Sequence, residues 1–167
     1  MLKILGFILL AACGALGGNY KSEQLKKRVD FFEKYTAFII FIKVSVSFSA
    51  SVLEEILSSV TIPYFDVYAH RVKNSMLEGM SLDSAWKDAL AVFEEYQFLS
   101  EADISSVADF GKGLGDSDLS GQASHCELAL AKAEYLLNDS RKEYNGKSRL
   151  YRVLGAALGA GIGLIMI

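Results

Sequence analysis

The chain has 167 residues, 51% of them hydrophobic and 22% charged, with a formal net charge of −3. This composition excludes a disordered protein, and two cysteines exclude a disulfide-rich scaffold or a four-ligand zinc site. A single proline and no run of short alternating strands argue against a sandwich or barrel, and the near-neutral total excludes a broadly basic nucleic-acid binder.

No residue between Lys3 and Lys21 is charged, and none after Arg152. The two uncharged stretches, 4–20 and 153–167, are 17 and 15 residues long and rich in Leu, Ile, Ala and Gly. As helices they reach roughly 26 and 23 Å, against a hydrocarbon core of about 30 Å. Lys21 and Arg152 stand where they can snorkel, and Tyr20 and Tyr151 where interfacial aromatics belong. Residues 1–20 and 153–167 are therefore expected as transmembrane helices. For the second, the alternative is a buried terminal helix, which needs a core that a chain of this size hardly supplies. Gly14 and Gly18 are four apart, as are Gly155, Gly159 and Gly163. That spacing suits close helix packing in lipid, either on each other or on a partner.

The segment Leu10-Ala11-Ala12-Cys13 resembles a lipobox, and an apolar run ending in small residues also resembles a signal peptide. A lipid-anchored extracytoplasmic binding protein is accordingly the alternative function. Against it stand an n-region of one lysine and a basic cluster that follows the apolar segment.

The remaining residues, 21–152, carry all other charge. Lys21, Lys26, Lys27 and Arg28 oppose only Glu23, while Arg141, Lys142, Lys147, Arg149 and Arg152 oppose only Glu143. Residues 29–140 hold seven basic and 18 acidic groups, a net of −11. Basic clusters on the inner flank of both apolar stretches put the middle domain in the cytoplasm and both termini on the opposite side. The acidic excess suggests a basic partner surface, with a solvated face as the plainer account. Glu94 and Glu95 are candidate partner contacts.

Within this middle domain, Leu25, Val29, Phe32, Phe38, Ile39, Ile42 and Val46 recur at helical steps from Ser22 to about Phe48. The β-branched residues near its end leave a strand as the alternative there. Ser49 or Ser51 can cap a short helix through Val60, and Pro63 suits the first turn of a helix running to about Leu77 and ended by Gly79. Ser81 opens a helix through Tyr96. Ser100 and Asp103 match a capping box for a helix to about Lys112, stopped by Gly113 and Gly115. Asp118 then caps the longest helix, in which Gln122, Cys126, Leu130, Ala133, Leu137 and Tyr144 share a face and Gly146 is a weak point. The fold class is all-α, an antiparallel helical bundle with an N-terminal and a C-terminal transmembrane helix.

Catalytic patterns are missing. Gly111-Lys112-Gly113-Leu114-Gly115 ends a helix and does not follow a strand. In His125-Cys126-Glu127, adjacent helical residues point apart, so a surface histidine beside a core cysteine explains it. Asp116-Ser117-Asp118 reads as a turn and cap, because no further ligands follow at calcium-site spacing. The chain is expected to be no enzyme and to hold no metal or cofactor.

Several elements together carry a resemblance: the opening Met1-Leu-Lys-Ile-Leu-Gly6, Ser84-Ala85-Trp86 at a helix start, and Phe110-Gly111. Leu114-Gly115-Asp116-Ser117-Asp118 with Gln122, and Tyr151-Arg-Val-Leu-Gly155 before the glycine-rich end, are the more specific parts. In this order and length the chain resembles the stage III sporulation protein AB family along its whole extent. That family is similar to the cytoplasmic domains of type II secretion and type IV pilus inner-membrane platform proteins. The resemblance implies a non-enzymatic scaffold of the mother cell–forespore channel apparatus, facing the mother-cell cytoplasm from the outer forespore membrane. Its implied partners are a cytoplasmic ATPase, stage III sporulation protein AA, and the other membrane proteins of the channel. A platform component outside sporulation is a third reading. The chain departs from the family's usual look at Lys43 and serines 45, 47, 49 and 51, where a Glu-Ile pair is expected, so an ATPase contact made there would differ.

Overall fold

A computed structural model of the chain describes residues 2–48, 53–114 and 119–165, with the side chains of 2–5, 47, 48 and 119 outside that description. Among the described residues there are seven helices and no strand: α1 Leu2–Phe48, α2 Leu53–Ser58, α3 Phe65–Leu77, α4 Leu82–Ala89, α5 Ala91–Glu94, α6 Glu101–Gly111 and α7 Leu119–Ile165. The chain divides into two compact units, Met1–Val29 with Asn138–Ile167, and Asp30–Leu137. The first unit takes in the basic stretches 21–28 and 141–152 together with the apolar ends.

Aromatic burial organises the second unit. Phe31, Phe32, Tyr35, Phe38, Ile39 and Ile42 recur at three- and four-residue steps along α1 and are all buried, the stripe of an amphipathic helix. The stretch 41–46 stays helical despite its β-branched content. The rings interlock. Phe38 stacks on Phe65 at 4.7 Å, Tyr68 meets Trp86 edge-on at 5.2 Å, and Trp86 meets Phe110 at 5.8 Å. Buried aromatic polar tips need partners, and each finds a backbone carbonyl. Tyr35 Oη donates to Ser106 O at 2.8 Å, Trp86 Nε1 to Val107 O at 3.0 Å, and Tyr68 Oη to Trp86 O at 3.0 Å. The last of these serves a carbonyl in the final turn of α4, where the helix itself leaves carbonyls unpaired.

Local signals set three of the boundaries. Ser81 caps α4 by accepting from Ser84 N–H. Ser100 and Asp103 form a reciprocal capping box on α6, the Asp103 carboxylate accepting from Ser100 N–H at 3.0 Å. Gly79, at φ 95°, closes α3, with Met80 N–H reaching back to Ser75 O. The caps expected at Ser49, Ser51 and Asp118, and the stop at Gly115, lie outside the described residues.

Two boundaries differ from the sequence reading. The helix expected from Ser81 through Tyr96 breaks at Leu90, giving α4 and the one-turn α5. Phe93, Tyr96 and Leu99 then each donate backbone N–H groups three residues back, to Leu90, Phe93 and Tyr96. This tighter winding shifts the facing side, and Phe93 is buried against Phe31 at 5.4 Å. Pro63 stands in the turn ahead of α3 and outside its first turn. Tyr64, the N-cap, takes φ 70°, a conformation costly for a non-glycine residue. Its hydroxyl donates to Asp30 Oδ2 at 2.9 Å and its ring meets Tyr96 at 5.6 Å, which holds it there.

Two tests follow from this packing. A methyl at Gly111 would collide with the Trp86 indole. Gly111→Ala is therefore expected to destabilise the chain by about 1–3 kcal/mol through overpacking, although alanine is the better helix former; an unchanged melting temperature refutes the contact. Burial raises the Tyr35 and Tyr68 phenols above their ordinary value of 10.0, and burial with the Asp30 contact pushes Tyr64 up to about 12. Raised folded values leave this stability whole below pH 10; the share from Tyr64 is lost as the pH climbs from 10 to about 12, and the shares from Tyr35 and Tyr68 go on falling beyond it. Tyrosinate absorbance and loss of helical circular dichroism should rise together above pH 10.

Candidate functional site: a glycine-seamed helical hairpin

In the first unit the start of α1 and the end of α7 lie antiparallel. Their contact is made of backbone. A methyl built on Gly14 would strike Gly155 O and lie 2.8 Å from Gly159 Cα, and one on Gly155 would strike Gly14 O and lie 2.8 Å from Gly18 Cα. Gly18 faces Tyr151 O, Gly159 faces Leu10 O and Ala11 Cα, and Gly163 faces the Phe7 ring. All five glycines singled out in the sequence thus lie on the facing sides of one hairpin. In the same unit Ser22, Ser140 and Ser148 are also buried. Gly6, Gly17 and Gly161 have nothing within 4 Å; the structure offers no account of them.

The large side chains point the other way. Leu16 is 68% exposed, Leu158 63% and Leu164 71%, and Ile8, Leu9, Val153, Leu154 and Ile162 are exposed as well. Small inside and aliphatic outside reverses the usual order of a helix pair in water. Among the described residues no helix is long and apolar enough to cross a membrane. The first apolar stretch opens at Ile4, whose side chain lies outside the described residues. Cys13 is exposed within the unbroken helix α1.

Where the aliphatic exterior ends, charge begins. Arg28 sets a guanidinium nitrogen 3.1 Å from Glu143 and 3.7 Å from Asp139, and Lys147 reaches Glu143 at 2.7 Å. Lys21, Lys26, Lys27, Lys142, Arg149 and Arg152 are exposed.

The other residues singled out in the sequence lie in the second unit. Leu114 is buried, and its N–H reaches Gly111 O at 3.3 Å. Buried Gln122 points its amide at Gly113 O, 3.5 Å away. Gly115, Asp116 and Asp118 lie outside the described residues. Glu94 and Glu95 are exposed at α5.

His125 is not the surface residue expected. Its Nε2 sits 2.7 Å from Phe110 O, its ring stacks on Phe110 at 5.8 Å, and Gly113 leaves room for it. Its spacing from the glycine run was visible in the sequence, but the packing that uses it was not. Cys126 is fully buried, and burial pushes its thiol above the usual range, which keeps it unreactive.

The chemistry available is slight. An open cleft of about 630 Å³ beside α3 is lined by Asp66, His70, Arg71, Ser75, Glu78 and Asp88, with Arg71 held by Asp88 at 3.1 Å. In that lining Ser75 Oγ lies 3.5 Å from Asp88 Oδ2, a carboxylate already held by Arg71. Among the described residues no group of three His, Cys, Asp or Glu side chains is placed to hold a metal.

The family model of stage III sporulation protein AB matches residues 3–167. The chain belongs to the stage III sporulation protein AB family. No curated protein and no solved structure matches it. Members of the stage III sporulation protein AB family are sporulation proteins, and the family is not a known enzyme family.

The seam itself is testable. Gly155→Leu is expected to push the hairpin apart and to lower its stability against unfolding in mild detergent by about 1–3 kcal/mol, while Gly161→Leu, with open space around it, should change little. Equal effects of the two would show that no close contact exists at Gly155.

Proposed function

We propose that this chain is a non-enzymatic scaffold held in a membrane by its glycine-seamed hairpin, within the channel apparatus joining mother cell and forespore. The observation that carries the reading is the inverted hairpin, glycine and serine inside and aliphatic side chains outside. Lipid, unlike water, rewards that order, since backbone contact there replaces a missing hydrophobic drive. The apolar stretches reach only about 26 and 23 Å; Lys21 and Arg152, both exposed, extend them by snorkelling. The hairpin's antiparallel course keeps both termini on one side, and the exposed cations at its other end favour a cytoplasmic helical domain. Family membership supports the sporulation role.

In this reading the acidic helical domain couples a cytoplasmic ATPase, stage III sporulation protein AA, to the channel's membrane proteins. Its exposed carboxylates, Glu94 and Glu95 among them, are the proposed contacts. The lipid-anchored reading has less support, because cleavage before Cys13 would strip Phe7, Leu10 and Ala11 from the seam.

The test is made in sporulating cells. The chain should stay with membranes after an alkaline carbonate wash. A cysteine in place of Met80, exposed and outside the proposed contacts, in a chain with Cys13→Ala, should be labelled by a thiol reagent only after permeabilisation. Release by the wash overturns the membrane anchor, and labelling in intact cells overturns the cytoplasmic placement. Normal spore yield without the chain would remove the sporulation role.

A further inference from the structure

We propose that the cationic end of the hairpin is a binding surface for the headgroups of anionic phospholipids; this rests on the membrane reading above and names the lipid class it selects. Residues 21–28 and 141–152 hold nine basic groups against Glu23 and Glu143. Glu143 is already engaged, by Arg28 at 3.1 Å and Lys147 at 2.7 Å. This internal pairing leaves an excess of exposed cations on both helices, Lys21, Lys26 and Lys27 on α1 and Lys142, Arg149 and Arg152 on α7.

Their placement identifies the occupant. Arg149 and Arg152 interleave with the exposed Leu150 and Val153, so charge and aliphatic surface meet on one helix within a single turn. Nucleic acid or an acidic protein would satisfy the cations and leave the aliphatic surface in water. A bilayer with anionic headgroups covers both. The basic stretches run for about 10 and 16 Å along their helices, deep enough to meet one headgroup layer of about 5–8 Å. Several phosphates can therefore be contacted around the hairpin, and the attraction should be screened by salt.

The test uses the full chain in detergent micelles containing equal amounts of phosphatidylglycerol and phosphatidylcholine, with the lipid retained through gel filtration measured. Phosphatidylglycerol should be retained at least about fivefold over phosphatidylcholine at low salt, the preference expected of even one effective cation. The preference should shrink in about 1 M salt. A triple variant, Lys26→Gln, Lys27→Gln and Arg149→Gln, should lose most of it while keeping its helical circular dichroism and its retention of phosphatidylcholine. Equal retention of the two lipids at low salt, or an unchanged preference in the triple variant, overturns the proposal and leaves the hairpin anchor standing. Displacement by inorganic phosphate beyond the effect of chloride at equal ionic strength would mean a free-phosphate site, and also overturns it. Retention of neither lipid overturns the proposal and the membrane reading together.

Discussion

The first unit depends on one constraint: the backbones of α1 and α7 come so close that no side chain fits between them. Gly14 and Gly155 each occupy the space a methyl on the other would need, and Gly18 and Gly159 repeat the arrangement one turn along on either side. Glycine inside a helix costs about 1 kcal/mol relative to alanine, so a seam of glycines is unfavourable until the two helices meet. Once they meet, the register is fixed. It sets Arg28 beside Glu143, and Ile8, Leu9, Leu16, Leu154, Leu158 and Leu164 stand exposed.

The second unit follows the opposite rule. Its largest buried side chains, Trp86, Tyr35, Tyr68 and six phenylalanines, form its core, and the polar tips of the first three are taken up by backbone carbonyls. His125 is spent the same way on Phe110 O, and the Asp103 carboxylate serves as a helix cap. A catalytic centre needs a polar group held in place but left unsatisfied by the fold. Tyr35, Tyr68 and Asp103, all buried, have structural partners, while the buried Cys126 thiol is held above its usual range by burial.

Much of this was legible in the sequence because the signals were local. A capping box needs four residues, a glycine C-cap a few, and an aromatic stripe one helix. Ser100–Asp103, Gly79 and the positions Phe32, Phe38, Ile39 and Ile42 were readable on that basis, whereas Phe31 and Tyr35, equally buried, were not picked out. The break at Leu90 was not, because nothing near it disfavours a helix; the demand comes from Phe93, which must turn towards rings distant in sequence. Tyr64 was hidden likewise. A tyrosine at positive φ is unfavourable by every local rule, and it is tolerated only because Asp30, Phe31 and Tyr96 hold it. His125 was misread because helical spacing shows which face a residue takes but not that Gly113 opposite lacks a side chain. At the seam, the spacing of the glycines was plain, whereas the choice between pairing with each other and pairing with a partner needed the three-dimensional register.

The two units also differ in charge, and the averages conceal it. A net of −3 combines an acidic stretch at −11 with basic flanks, just as 51% hydrophobic combines buried aromatics with exposed aliphatics. In water, forming the hairpin would hide glycine and serine while leaving the leucines wet, so the hydrophobic effect would contribute little to it. In lipid the exposed leucines would cost nothing, and the backbone contact would provide the attraction. The same sequence features are thus unfavourable under one solvent and mutually supporting under the other. That asymmetry, more than the length of either apolar stretch, is the physical argument for a membrane anchor.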